Sequence, residues 1–112
     1  MPKGFASTPE PPYYAVIFTS QRTEGDDGYD GVADAMFELA LKQPGCLGAE
    51  HAREVTGLGI TVAYFTDETA IRSWKQNSKH LVAQRLGKAR WYSHYKIRVA
   101  KVERSYSGPE GR

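Results

Sequence analysis

The sequence predicts an α+β domain in which an antiparallel sheet of four strands has two helical regions on one face. Three observations lead to this fold class. Apolar residues change along the chain between a spacing of two and a helical spacing. Each change coincides with a turn signal rich in Gly, Pro, Asn or Asp. The resulting order is strand, helix, hairpin, helix, strand, which is the βαββαβ arrangement of the ferredoxin-like folds.

The first predicted strand spans residues 13–19, with the sequence YYAVIFT. This short run is aromatic and β-branched, and it is apolar on both faces. Helices on only one side of the sheet would leave the other apolar face in water, so a partner should cover that face. A second copy of the chain is the simplest partner, which predicts a homodimer that packs sheet against sheet through the open face.

The remaining elements follow from local signals. One helix is predicted between the glycine-containing loop 23–28 and the stop signal at Pro44-Gly45. A hairpin is predicted next, from residues 46–55 and 60–65 around a turn. A second helix should follow from a cap at Thr66 or Asp67.

The polar residues 76–78 predict an interruption of this second helix. Residues 95–102 alternate between apolar and basic side chains, which is typical of a half-buried last strand.

The chain of 112 residues is long enough for one domain, which we expect to span residues 13–106. Residues 1–12 and 107–112 are rich in Pro, Gly and charge, so both should be flexible tails. No apolar stretch approaches the roughly 20 residues of a membrane-spanning helix. The N-terminus lacks the apolar centre of a secretory signal, and the single cysteine fits a reducing compartment. We therefore expect a cytoplasmic protein with no membrane span.

Charge and motif content argue against several function classes. A net charge of +2 is too small for strong nonspecific nucleic-acid binding, and no RNA-recognition signature is present, so nucleic acid is not an expected partner. The three histidines lack metal-ligand spacing, and no phosphate-binding or dinucleotide-binding loop occurs. The sequence thus predicts no metal and no tightly bound cofactor.

Four segments carry a resemblance to a known family: YYAVIFTS at 13–20, QPGCLG at 43–48, GITVAYFTDETAIRSWKQNSKH at 59–80, and WYSHYKIRVAKVERSY at 91–106. In their order and spacing they resemble the antibiotic biosynthesis monooxygenase family, whose members are dimeric α/β barrels of ferredoxin-like subunits. The resemblance implies a pocket between the sheet and the second helix, with Trp74 on its wall. Some members oxidise aromatic polyketides with molecular oxygen and no cofactor, some cleave haem, and others are small accessory proteins or have no assigned activity.

Haem-cleaving members of this family use an asparagine on the first strand, a tryptophan on the second helix and an iron-binding histidine ten residues later. Trp74 matches the tryptophan, but Ser20 or Gln21 stands at the first position and Gln84 at the last. The resemblance therefore favours cofactor-independent oxidation of a small aromatic or quinonoid compound over haem cleavage.

Within that reading, His80 is the candidate general base, because imidazole titrates near neutral pH. Trp74 is the candidate surface for stacking on a flat substrate. The other candidate substrate-binding residues are Phe18, Ser20, Tyr64, Gln84 and Trp91. The alternative is that Trp74 is an ordinary core residue and His80 an ordinary surface residue. The protein would then be a non-catalytic ligand-binding or stress-response protein of the same fold.

Overall fold

The computed structural model describes residues 4–22, 40–86 and 92–109, and their side chains apart from those of residues 78–86, 92 and 93. The strands are β1 (Tyr13–Arg22), β2 (Cys46–Arg53), β3 (Leu58–Phe65) and β4 (Tyr92–Val102), and helix α1 (Glu68–Leu86) joins β3 to β4. Residues 40–42 are helical and precede the turn before β2. The rest of the predicted first helix, and the loop before it, lie outside the described residues.

The four strands form one sheet in the order β2-β3-β1-β4, and every neighbouring pair is antiparallel. This order arises because the chain returns from β2 through a hairpin and places β3 beside β1. β1 and β3 are therefore the central strands, and β2 and β4 are the edges. The predicted fold class is confirmed.

The register of the strands defines two faces of the sheet. Tyr14 pairs with Phe65 and Val16 with Ala63, and side chains at these positions point to the side that packs on α1. We call this side the helix face. Its core is a cluster of buried side chains from β1, β3 and α1: Val16, Ala63, Phe65, Ala70 and Ile71. The alternate positions, such as Ile17 and Val62, lie on the other side, which we call the open face.

Helix α1 begins at a cap formed by Asp67, whose Oδ1 accepts a hydrogen bond from the backbone N of Ala70 at 2.8 Å. The predicted interruption at residues 76–78 is wrong, because α1 continues without a break from Glu68 to Leu86. In the described ranges, no helix has the length and apolar character needed to cross a membrane.

Tertiary hydrogen bonds explain why the polar residues do not end the helix. Ser73 and Asn77 lie one turn apart on α1, and both donate to Oε1 of Gln43, at 3.5 and 3.2 Å. Gln43 comes from the turn just before β2. The polar side chains thus attach this side of α1 to that turn.

Four strand ends differ from the predicted ones, and one of them is the start of β3, which lies at Leu58 rather than at residue 60. β1 continues to Arg22, because its last residues pair with the start of β4 and the backbone N of Arg22 donates to the carbonyl of Gly57 at 3.0 Å. β4 accordingly begins at Tyr92, three residues earlier than predicted. β2 ends at Arg53, after which the backbone turns at residues 54–57.

Part of the predicted N-terminal tail contacts the open face. The backbone N of Ala6 donates to Oε2 of Glu50 on β2 at 3.0 Å, and Thr8 Oγ1 lies 3.1 Å from the hydroxyl of Tyr13. Tyr13 is buried, and its ring meets that of Tyr64 edge-on with centroids 5.7 Å apart. Residues 4–12, the N-terminal segment, therefore cover one end of the open face.

Candidate functional site

Trp74 on α1 lies against the helix face and is half-buried. Its ring centroid is 6.0 Å from that of the fully buried Phe65, with an angle of 42° between the ring planes. The indole Nε1 is buried and finds no hydrogen-bond acceptor in the described part of the chain. A buried N–H without an acceptor costs about 1–3 kcal/mol, so it requires a structural or functional reason.

A second aromatic pair lies on the same face, nearer to the edge strand. Phe18 on β1 and Tyr95 on β4 have ring centroids 5.7 Å apart. Ile97 and Val99 follow on the same face of β4, and both are exposed together with Tyr95. The helix face therefore offers a broad aromatic and apolar surface, which is the kind of lining that small-molecule sites use.

Ser20 and Arg53 form a polar group at one end of the same face. Ser20 is only 2% exposed, and its Oγ accepts a hydrogen bond from Nη2 of Arg53 at 2.9 Å. Arg53 also donates from Nη1 to the carbonyl of Gly57. The guanidinium lies over Gly59 of β3, where a Cβ would be 2.5 Å from the Arg53 Cζ. A positive charge is thus held at the end of the helix face.

The structure places three of the residues predicted for the site on one side of the sheet. Phe18, Ser20 and Trp74 all belong to the helix side of the sheet. Tyr64 does not join them, because it pairs with Ala15 and projects from the open face. Trp91 lies outside the described residues.

His80 and Gln84 lie on α1, but their side chains are outside the described part of the structure. The case for a shared pocket of Trp74 and His80 depended on a break in the helix between them. On an unbroken helix, six residues at about 100° each separate the two positions by about 120° around the axis. That argument for a shared pocket therefore no longer holds.

Comparison with known proteins gives the family. No family model matches the chain. An uncharacterized protein of Bacillus subtilis, YqjZ, is 50% identical over 99 residues, which cover 88% of this chain and 87% of YqjZ. The chain belongs to the YqjZ family. The aligned residues make up most of both proteins.

Solved structures show the fold of this YqjZ-family member. SnoaB of Streptomyces nogalater, described as a cofactor-independent oxygenase, superposes with a TM-score of 0.67 at 11% identity, covering 83% of this chain and 95% of SnoaB. A Nitrosomonas europaea protein provisionally named an antibiotic biosynthesis monooxygenase superposes with a TM-score of 0.60 at 10% identity. The superposition covers 86% of this chain and 94% of that protein. A Pseudomonas aeruginosa protein, PA3566, superposes with a TM-score of 0.64 at 16% identity, covering 88% of this chain and 99% of PA3566. The resemblance to antibiotic biosynthesis monooxygenases is therefore confirmed at the level of the fold.

Arg53 is the residue of this YqjZ-family chain that sequence reasoning missed. It stands opposite Gly59 across the hairpin, and Gly59 stands opposite Ser20 across the next pair of strands. The available signal was a glycine that stands between an arginine and a serine on neighbouring strands. This signal can be recognised only when the register of the strands is known. The pattern of apolar residues alone does not give that register.

Two ionisable groups outside this cluster have shifted pKa values. Burial, followed by the hydrogen bond from its hydroxyl to Glu50 Oε1 at 2.7 Å and the charge of Glu50, raises the pKa of Tyr64 above its usual range. Burial likewise raises the pKa of the Cys46 thiol. Both groups are therefore protonated at neutral pH. Among the described side chains, no three of His, Cys, Asp or Glu are grouped closely enough to hold a metal ion.

The grooves on the described surface include one beside α1 and one on the open face. One, of about 340 Å³, lies beside the start of α1, where the Asp67 cap already occupies the free backbone N–H of Ala70. The other, of about 210 Å³, opens on the open face at the end opposite the N-terminal segment. Its lining residues are Thr19, Ser20, Gln21, Leu58, His94, Lys96 and Arg98.

Proposed function

We propose that the protein is a cofactor-independent monooxygenase that acts on a small aromatic or quinonoid compound bound at the helix face. The observation that carries this proposal is the buried indole N–H of Trp74, which has no acceptor among the described residues and lies beside Phe65. A carbonyl or hydroxyl oxygen of a flat ligand would satisfy this N–H while its rings contact the aromatic surface. The fold shared with SnoaB supports the same class of activity.

Each part of the helix face has a role in this proposal. Trp74 and the pair of Phe18 and Tyr95 bind and orient the ring system and exclude water. The guanidinium of Arg53 at the Ser20 end favours an anionic form of the substrate through its positive charge. His80 stays the general base predicted from the sequence, and its side chain lies outside the described part of the structure. Removal of a phenolic proton would give an electron-rich anion that reacts directly with molecular oxygen. One oxygen atom becomes a new carbonyl of the quinone product, the other leaves as water, and the substrate supplies all the electrons.

Oxygen consumption by the purified protein, with no cofactor added, tests the proposal on a panel of polycyclic phenols, hydroquinones and their ketone tautomers. Trp74→Phe keeps an aromatic ring but removes the N–H, so kcat/KM should fall about tenfold or more. His80→Ala should lower kcat about 100-fold or more, as expected for loss of a general base. Tyr64→Phe removes one hydroxyl on the opposite side of the sheet, and its kcat/KM should stay within about twofold of the wild-type value.

The outcome distinguishes the two functions that the sequence left open. Oxygen uptake that depends on Trp74 supports the enzyme. Binding of the same aromatic compounds with no oxygen uptake by any of them would contradict the monooxygenase proposal and favour a non-catalytic ligand-binding protein. Oxygen consumption by Trp74→Phe at the wild-type rate would contradict the placement of the active site on the helix face.

We also propose that the protein is a homodimer formed through the middle of the open face. Ile60 is 46% exposed there, next to the half-buried Ile17 and Val62. A second copy would remove this apolar surface from water. Sedimentation should give about 25 kDa, twice the mass of 12.5 kDa.

The matched variants for the dimer are Ile60→Asp and Val55→Asp. Both place a carboxylate at an exposed apolar position, but Val55 lies in the turn between β2 and β3 rather than within a strand. Ile60→Asp should sediment as a monomer and Val55→Asp as the wild type. A wild-type monomer at micromolar concentration would contradict the dimer. The cytoplasmic location stays a prediction from the sequence.

A further inference from the structure

We infer that the groove at the end of the open face is a binding site for a small molecule that combines an apolar or aromatic body with a carboxylate or phosphate group. This inference goes beyond the proposed oxygenase site, which lies on the other side of the sheet, and does not rest on it. The groove lies where β1 ends and β4 begins, away from the N-terminal segment.

The first argument is the arrangement of cations. His94, Lys96 and Arg98 occupy alternate positions of β4, so their side chains leave the same face of the sheet, and all three are exposed. Two residues along a strand span about 6.6 Å, which is shorter than the screening length of about 8 Å at physiological salt. The charges of Lys96 and Arg98 therefore act on the same ligand group.

The second argument is that none of the described residues that line the groove is acidic. The residues opposite the three basic positions on β1 are Gln21, Thr19 and Ile17, which carry no charge. The open face does carry a carboxylate, Glu50. That side chain lies on β2 and accepts hydrogen bonds from the hydroxyl of Tyr64 and from the N-terminal segment. The protein thus concentrates positive charge in a concave site and places its described open-face carboxylate elsewhere.

The third argument is the composition of the remaining wall. Leu58 of β3 lines the groove, and the exposed Ile60 lies next to it along the same face. The hydroxyl of Thr19 stands directly opposite Lys96 and can donate to an oxygen atom held by the lysine. An anionic group would therefore contact Lys96, Arg98 and Thr19, while an attached ring would cover Leu58. The volume of about 210 Å³ limits the ligand to a small molecule.

Titration of the isotope-labelled full-length protein by NMR tests this assignment with defined probes. Benzoate and phenyl phosphate should bind and shift the backbone amides of residues 19–21 and 94–98. Benzyl alcohol, which matches benzoate in shape but has no charge, should bind at least tenfold more weakly. Inorganic phosphate should also bind at least tenfold more weakly than phenyl phosphate, because it lacks the ring that covers Leu58.

Lys96→Gln and Lys101→Gln form the matched pair of variants. Each removes one positive charge from an exposed position of β4, but Lys101 pairs with Tyr14 and lies on the helix face. Lys96→Gln should weaken benzoate binding tenfold or more, and Lys101→Gln should change it less than twofold. Both variants should keep the wild-type sedimentation coefficient, which separates loss of the site from loss of a dimer.

Several results would overturn the inference. Equal weakening by the two variants would show a general effect of net charge. Equal affinities for benzoate and benzyl alcohol would remove the anionic requirement, and equal affinities for phosphate and phenyl phosphate would remove the apolar one. Binding of a single-stranded uridylate octamer at least 100-fold more tightly than phenyl phosphate, with amide shifts along the whole open face, would make this face a nucleic-acid surface instead.

Discussion

Arg53 on β2 donates a hydrogen bond from Nη2 to the Oγ of Ser20 on β1, 2.9 Å away, and its side chain crosses over β3 to do so. The crossing is possible because the residue beneath the guanidinium is Gly59, which has no side chain. The same guanidinium donates to the carbonyl of Gly57 in the hairpin turn. One side chain therefore ties three strands and the turn together at this end of the sheet.

Gly59→Ala and Arg53→Met should each lower the free energy of unfolding by about 1–3 kcal/mol. The alanine Cβ would displace the guanidinium, and either change leaves the buried Ser20 hydroxyl without its donor. Because both changes break the same contact, the double variant should be little less stable than the worse single variant. Urea unfolding gives the free energy of unfolding of the wild type, the two single variants and the double variant. Arg72→Met, at an exposed position of α1, is the control and should change stability by less than about 0.5 kcal/mol. Strict additivity would contradict the shared contact.

Gly45 and Gly4 provide a matched test of a crowded and an open glycine. Both have positive φ angles, 88° and 93°. A Cβ at Gly45 would lie 2.7 Å from the Cβ of the buried Ala70 and 2.8 Å from Thr66 Oγ1, whereas nothing lies within 4 Å at Gly4. Gly45→Ala should therefore lower the free energy of unfolding by about 3 kcal/mol or more, from backbone strain and overpacking together. Gly4→Ala should cost about 1 kcal/mol or less, and equal effects would contradict the role of crowding.

β1 and β3 were predictable from the sequence because most of their residues are aromatic or β-branched, and β4 because its apolar and basic residues alternate. The continuity of α1 was not. Asn and Ser within a helix are weak signals for its end, since tertiary contacts override propensities of a few tenths of a kcal/mol. Here Ser73 and Asn77 bind Gln43, a residue thirty or more positions earlier in the chain. Such a contact exists only in the folded chain, so the local pattern could not show it.

The candidate site was predictable only in part, for a related reason. Trp74 was found from the family resemblance and Phe18 from its residue type, and both lie on the helix side. Residues 60–65 are apolar at most positions, so their pattern does not tell which face Tyr64 takes. A shift of one residue in register moves every side chain to the other face. The same dependence on register concealed Arg53 as the partner of Ser20.

The Cys46 thiol should react slowly with alkylating reagents in the folded protein. Burial raises its pKa, which lowers the fraction of reactive thiolate at pH 8, and the side chain packs at the edge of the core cluster. Iodoacetamide should modify it at least tenfold more slowly in buffer than in concentrated urea. Cys46→Ala combined with Val55→Cys moves the single thiol to a fully exposed turn position. That protein should react at the urea rate under both conditions, and equally slow reaction there would contradict an effect of burial.

Stability at alkaline pH should depend on Tyr64. Burial, then the hydrogen bond to Glu50 and the charge of Glu50, raise the pKa of this phenol above the usual value of about 10. A group with a higher pKa in the folded state contributes full stability below its unfolded pKa and loses that contribution as the pH rises beyond it. The free energy of unfolding should therefore decline above about pH 10, and less steeply in Tyr64→Phe. Tyr106→Phe, at a position 68% exposed, should decline like the wild type in urea titrations across this range. Identical declines in both variants would contradict the assignment to Tyr64.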